Sequence, residues 1–146
     1  MSIFSSINIS ASGLNSERTR MDTISKNIAN ANTTRTSAGT PYRRQLAVFQ
    51  EDGDVSFDSI LSKAKESTES SGGVKITGIV EDQSEFKLVY DPGHPDARED
   101  GYVEMPNVDI VREMVDMITA TRAYEANLTS INTAKSMAMK AIDIGK

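Results

Sequence analysis

Apolar residues recur at helical spacing near both ends of the chain, and the stretch between them is short-patterned, acidic and rich in turn residues. In the first part Ile7, Leu14, Met21 and Ile28 repeat every seven residues, with Phe4, Ala11 and Ile24 between them. In the last part Ile110, Met114, Met117, Tyr124, Leu128, Ile131, Ala138 and Ile142 follow the same alternation of threes and fours. That period gathers side chains on one face of an α-helix. The first predicted helix covers residues 5–31, weakened by about 1 kcal/mol at Gly13 relative to alanine. The polar run Asn30-Ala31-Asn32-Thr33-Thr34 closes it. The second opens after Pro106 with Asn107 as the expected N-cap. From Val108 it meets no glycine or proline until Gly145, which predicts a helix of about 50–55 Å at 1.5 Å per residue.

Between the helices the pattern shortens. Ser37-Ala38-Gly39-Thr40-Pro41 reads as a loop, residues 42–50 as a strand, and Glu51-Asp52-Gly53-Asp54 as a turn. Residues 59–65 suggest a helical turn, and residues 67–73 form a Ser/Gly-rich linker expected to be mobile. Val74, Ile76, Gly78 and Val80 then alternate with Lys75, Thr77 and Ile79, and Phe86, Leu88 and Tyr90 alternate with Lys87 and Val89. Two such runs separated by Glu81-Asp82-Gln83-Ser84 predict a hairpin or a neighbouring antiparallel pair. The expected fold is an elongated α+β chain whose long terminal helices pair as a coiled coil around a small β-rich middle. Its divisions are residues 1–34, residues 35–106 with a flexible linker near 59–73, and residues 107–146.

The second helix carries more apolar surface than one partner covers. A coiled-coil seam with the first helix buries one stripe and leaves Val111, Val115, Ile118, Ala134, Met137 and Ala141 beside it. Burying an aliphatic side chain contributes about 1.5–3 kcal/mol, against backbone ordering of roughly 1–2 kcal/mol per residue. A lone two-helix hairpin is therefore marginal, and the ends are expected to order fully only when neighbours cover them.

Charge adds a polarity to this picture. Residues 1–50 carry a net +4, residues 51–106 a net −9 and residues 107–146 none, for the overall −5. The acidity argues against a nucleic-acid binder, which needs basic groups against phosphate. There are no cysteines, which removes disulfides, thiolate metal sites and cysteine nucleophiles. No stretch reaches the ~20 apolar residues that span a bilayer, and Ser, Asn and Arg interrupt any hydrophobic run that would read as a cleavable signal peptide.

Little in the chain suggests chemistry. Asp91, His94, Asp96, Glu99 and Asp100 cluster in sequence, but lack the spacing of an EF-hand and the closed ligand set of a zinc site. Arg35, Arg43 and Arg44 around Tyr42 suggest a basic surface able to pair with the acidic middle of another copy, each contact of low value. Asn27, Asn30 and Asn32 suggest hydrogen bonds that end the first helix and set its exit direction, or ordinary helix-end residues. No nucleophile triad, phosphate loop or dinucleotide fingerprint is present. No catalytic residue, cofactor site or metal site is expected.

The motif Asn27-Ile28-Ala29-Asn30-Ala31-Asn32-Thr33, preceded by Ser12-Gly13-Leu14 and Arg20-Met21-Asp22, closely resembles the N-terminal signature of the rod and hook proteins of the bacterial flagellum. Gly39-Thr40-Pro41-Tyr42-Arg43-Arg44, Leu88-Val89-Tyr90-Asp91-Pro92-Gly93-His94-Pro95 and the block from Gly101-Tyr102-Val103 through Met105-Pro106-Asn107-Val108 to Glu113-Met114-Val115-Asp116-Met117 narrow the resemblance to the proximal rod. Tyr124-Glu125-Ala126-Asn127 and Lys135-Ser136-Met137 complete it, and the match is thinnest over residues 52–71.

The resemblance implies a structural subunit of the basal-body rod that crosses the periplasm. It implies export through the flagellar type III apparatus without a cleavable signal, helical assembly that transmits torque, and terminal helices enclosing the export channel. It also implies contacts with other copies, with the rod proteins FlgB, FlgF and FlgG, and with the adaptor FliE. The residues expected at subunit interfaces are those of both stripes (Ile7, Leu14, Met21, Ile24 and Ile28; Ile110, Met114, Met117, Tyr124, Leu128, Ile131, Ala138 and Ile142), with Asn27, Asn30 and Asn32. The competing reading is a soluble coiled-coil adaptor that binds one partner without polymerising, separable by its mass across a concentration series.

Overall fold

The computed structural model describes residues 3–52 and 72–145. Two long helices, α1 (Ile3–Ala29) and α2 (Ile110–Ile144), flank four strands: β1 (Gln45–Asp52), β2 (Gly73–Glu81), β3 (Lys87–Tyr90) and β4 (Tyr102–Met105). This is the elongated α+β arrangement that the periodicity predicts. The expected helical turn at residues 59–65 and most of the linker near 59–73 lie outside the described residues, as does the Phe4 side chain.

α1 and α2 run antiparallel. Gly13 lies against the side chain of Asn127, the Ser10 hydroxyl approaches that of Ser130 at 3.4 Å, and Asn27 meets Glu113. In each of these pairs the residue numbers add to 140, so the register holds across the shared length.

The seam on α2 consists of Glu113, Met117, Ala120, Tyr124, Asn127, Ile131, Ala134 and Ala138, all buried or half-buried and spaced alternately by four and three. One row of the expected stripe, Met117, Tyr124, Ile131 and Ala138, lies on it. The other expected row does not: Ile110, Met114, Leu128 and Ile142 are exposed. Glu113 and Asn127, one position before Met114 and Leu128, lie on the seam instead, in a row of seven-residue spacing with Ala120 and Ala134. Ala134, expected among the uncovered residues, is buried.

On α1 the most enclosed positions are Ser10, Ser16, Thr23, Ile24 and Asn27, while Ile7, Leu14, Met21 and Ile28 are half-buried. Small side chains at Ser10, Gly13, Ala120 and Ala134 let the two backbones approach closely. At Gly13 an added Cβ would stand 2.9 Å from Asn127 Nδ2. The glycine that weakens the isolated helix is therefore a contact point of the pair.

The strands pair differently from the expected hairpin. β1 and β2 form one antiparallel sheet, Gln45 opposite Glu81 and Asp52 opposite Gly73, with a bulge between Val48 and Phe49. β3 pairs instead with β4, Lys87 opposite Met105 and Tyr90 opposite Tyr102. Two contacts separate the sheets. Asp82 N–H donates to Arg44 O at 2.8 Å, prolonging β2 along the β1 side. The Asn107 amide then binds Asp82 O, Ser84 O and Ser84 Oγ and turns the chain away.

The helix starts are also corrected. Asp109, not Asn107, caps α2: its Oδ1 accepts from Val111 N at 3.0 Å and Arg112 N at 3.4 Å. Glu51 and Asp52, expected in a turn, belong to β1. The first sheet lies along α1, where Ser16 Oγ donates to Val74 O and Ser12 Oγ accepts from Val74 N. α1 is thus held on two sides, by α2 and by β2.

Candidate assembly interface

Where α1 ends and α2 begins, a buried polar junction ties four segments together. Asn27 is 1% exposed, and both ends of its amide are filled. Nδ2 donates to Gln45 O at 2.8 Å and to Glu113 Oε2 at 2.9 Å, while Oδ1 accepts from Gln45 N at 2.9 Å and from the Tyr42 hydroxyl at 3.0 Å. The side chain satisfies Gln45 as a neighbouring strand would, anchoring β1 to the helix end. Its groups are occupied within the chain, so Asn27 is a junction residue and not a surface contact. Asn30 acts locally, donating to Lys26 O and accepting from Thr33 Oγ1. Asn32 is exposed.

Glu113 is also 1% exposed. Its second oxygen accepts from Arg44 Nε at 2.6 Å. The same guanidinium reaches Asp116 at 3.4 Å and Asp82 at 3.8 Å, so one cation bridges the start of α2 and the turn after β2. Arg43 stacks over Phe86 at 4.3 Å and donates to Asp82 O and Ser84 O. Arg35 pairs with Asp96 at 3.5 Å. The three arginines read from the sequence as a docking surface are therefore engaged inside the chain.

Burial and the nearby carboxylates of Glu113 and Glu81 push the Tyr42 hydroxyl above its ordinary range. Asp82, in the link expected between two strand runs, is held below the usual carboxylate range by the Ser84 backbone and hydroxyl, helped by Arg44 and Arg43. Removing one member of such a network leaves buried partners unsatisfied and is costly, whereas the complete set fixes geometry. In the loop after β3, Asp91 Oδ1 accepts from Gly93 N–H and Asp96 accepts from the Thr34 hydroxyl. Those carboxylates are held by turn and loop contacts.

The outward faces are apolar. On α2 Val111, Met114, Val115 and Ile118 form a patch near the start, with Val111 71% exposed. Leu128, Met137, Met139, Ile142 and Ile144 continue the exposed apolar surface toward the end, and Val80, Leu88, Val89 and Tyr90 add to it on the strands. Thr119, Thr129, Thr133 and Ser136 turn their hydroxyls onto the carbonyls four residues earlier, which lowers the polarity they offer outward. Apolar surface on this scale marks an interaction face. Among the described residues no helix is long and apolar enough to cross a membrane. Sequence reasoning found this surplus but missed the junction, whose members are polar and far apart in the chain.

A slender helix pair locked at one end and uncovered along its outer faces defines a structural subunit made for assembly. Residues 7–35 match the family model described as flagella basal body rod protein, and residues 99–144 match that of the flagellar basal body rod FlgEFG protein C-terminal region. The chain is 49% identical to the flagellar basal-body rod protein FlgC of Bacillus subtilis (strain 168), with all of both chains covered. It is 47% identical to the FlgC of Borreliella burgdorferi, covering 99% of this chain and 98% of that one. It is 38% identical to the FlgC of Salmonella typhimurium over the whole of both. The chain belongs to the FlgC family of flagellar basal-body rod proteins. Members of that family are structural, so this is a subunit of the proximal rod and not an enzyme. Membership carries assembly with other components of the basal body.

Proposed function

We propose that this subunit enters the rod through the uncovered faces of its two terminal helices, transmits torque through the resulting tube and helps enclose the export channel. The observation that carries the reading is the exposed apolar surface of α2, from Val111 to Ile144, left open after α1 has taken the seam. Within the stripes, the contacts to neighbours fall to the outward residues Ile110, Met114, Leu128 and Ile142. The half-buried Ile7, Leu14, Met21, Ile28, Met117, Tyr124, Ile131 and Ala138 contribute their open edges, and Asn32 offers an exposed amide.

The rod crosses the periplasm, and the subunit reaches it through the flagellar export apparatus. Its neighbours are further copies, the rod proteins FlgB, FlgF and FlgG, and the adaptor FliE. Apolar faces of this extent favour ordering on assembly, because neighbours supply burial that the single pair lacks. The test is Leu128→Asp, which changes an exposed residue and spares the seam. Wild-type levels of protein with no incorporation into basal bodies and no motility support the reading. Normal motility overturns it.

A further inference from the structure

We propose that the outer edge of β1 is a docking strip for an extended segment of a partner polypeptide, which adds a third strand to the β1–β2 sheet. Successive residues of an antiparallel strand point their N–H and C=O groups to opposite edges. Gln45 turns both groups away from β2, onto the Asn27 amide at 2.9 and 2.8 Å. Ala47, Phe49 and Glu51 share that orientation. The far end of the sheet agrees: Val74, opposite Glu51, turns its own N–H and C=O outward to Ser12 and Ser16. The register skips Thr77 between Ile76 and Gly78, so the irregularity falls on β2 and the alternation along β1 is unbroken.

Side chains of α1 cover one corner of this sheet at each end and leave the β1 strip between them open. Asn27 fills the first place on β1 as the peptide group of a further strand would. Among the described residues nothing bonds to the outward groups of Ala47, Phe49 and Glu51. Edge strands are ordinarily blunted by lysine, proline or a bulge. β1 contains neither lysine nor proline, and the bulge residue belongs to its partner.

Beside the strip lies a cavity of about 280 Å³, walled by Arg20, Thr23 and Ile24 of α1, Ala47 and Phe49 of β1, and Asp116 of α2. Its charges are matched within the chain. Arg44, at its inner end, is shared by Glu113, Asp116 and Asp82. Arg20 lies 3.8 Å from Glu17 and stacks over the Phe49 ring at 6.0 Å. A row of free peptide groups beside apolar walls, with the neighbouring charges already paired, selects a polypeptide backbone and not an ion. The occupant is therefore an uncharged extended segment with apolar or β-branched side chains, held by main-chain hydrogen bonds. The strip from Ala47 to Glu51 takes about five residues at roughly 3.3 Å each.

The experiment uses the full chain and, as probe, a capped peptide of about five residues alternating threonine and valine. Amide hydrogen exchange is followed by nuclear magnetic resonance. In the free protein the amides of Leu46, Val48 and Gln50 are expected to exchange slowly, and those of Ala47, Phe49 and Glu51 rapidly. Saturating peptide is expected to slow the second set by about tenfold or more and leave the first unchanged. Binding is expected to be insensitive to salt. The same peptide N-methylated at the amides that meet β1 is expected to give no protection. Ala47→Pro deletes one outward N–H without touching the ladder to β2, and is expected to weaken binding by about tenfold, one lost hydrogen bond. Leu128→Asp is expected to bind the peptide like the wild type, so failure of the strip and failure of the helix-face reading are separable. The proposal is overturned if the outward amides are already slow in the free protein, if the peptide does not slow them, or if the N-methylated peptide protects equally. Protection that grows with protein concentration alone would give the edge to a second copy and likewise overturn it.

Discussion

Asn27 and Glu113, 86 positions apart in the chain, share a 2.9 Å hydrogen bond in the fully buried corner where α1 closes and α2 opens. Gln45, Tyr42 and Arg44 fill their remaining capacity, so neither residue can leave without stranding a buried partner. Asn27→Ala is expected to destabilise the isolated chain by roughly 1–3 kcal/mol, the cost of leaving such groups unpaired. Glu113→Ala, which removes the closest of the three carboxylates around Arg44 and an acceptor of Asn27 Nδ2, is expected to cost about 3–5 kcal/mol. Asn30→Ala should change far less, since Asn30 bonds only within its own helix end. Urea denaturation of the three variants checks the order.

Gly13 and Asn127 form the second fixed point of the pair. A methyl at position 13 relieves the intrinsic helical cost of glycine, about 1 kcal/mol, but meets the Asn127 amide at 2.9 Å. Gly13→Ala is therefore expected to be neutral or destabilising with Asn127 present. In an Asn127→Ala background it is expected to stabilise by close to the full propensity difference. A double-mutant cycle by thermal unfolding reads the coupling directly. Equal effects in both backgrounds would remove Gly13 from the seam.

These two points show what the sequence made legible. The long helices, the surplus apolar face and the existence of β1, β2 and β3 followed from periodicity, whereas β4 was not among the expected strands. One seam row, Met117, Tyr124, Ile131 and Ala138, was visible because it is apolar or small at heptad spacing. The other, Glu113, Ala120, Asn127 and Ala134, was not, because hydrophobicity carries no signal for a position chosen for small size or a hydrogen bond. The apolar residues one place further on, Met114 and Leu128, took its place in the reading and turned out to face outward. Strand pairing was lost for a related reason. The short link after β2 favours a hairpin locally, but Asn107, more than twenty residues on, holds Asp82 and Ser84 and directs β3 to β4.

The junction also predicts how stability depends on pH. Asp82 is held below the usual carboxylate range in the folded chain. Its contribution is present above the ordinary value near 3.8 and is lost as pH falls through the lowered folded value. Tyr42 is raised, so its contribution is complete below its ordinary value near 10 and is lost as pH rises from there through the folded value. Urea midpoints between pH 2 and 5 should fall less steeply in Asp82→Asn than in the wild type, by roughly the share of one linked proton. Between about pH 9 and 12 the decline should be shallower in Tyr42→Phe, since that variant has no hydroxyl to ionise. Unchanged slopes in both variants would detach these groups from the folded-state network.

Seam and outer face should separate cleanly when each is altered alone. Ala120 is fully buried between the helices, so Ala120→Leu forces extra volume into a close approach and is expected to lower stability by about 1–3 kcal/mol. Val115 and Ile118 lie on the same helix but expose more than half of their surface. Val115→Glu and Ile118→Glu are therefore expected to shift the stability of the isolated chain by less than about 0.5 kcal/mol, because little native burial is lost. Their effect should instead fall on assembly, since a carboxylate in a protein-covered apolar patch must be desolvated without a partner. Denaturation midpoints read the first quantity and recovery of the subunit in purified basal bodies reads the second. Stable variants that fail to incorporate would assign the outer face to neighbouring subunits. Incorporation at wild-type levels would mean that this part of α2 remains in solvent within the rod.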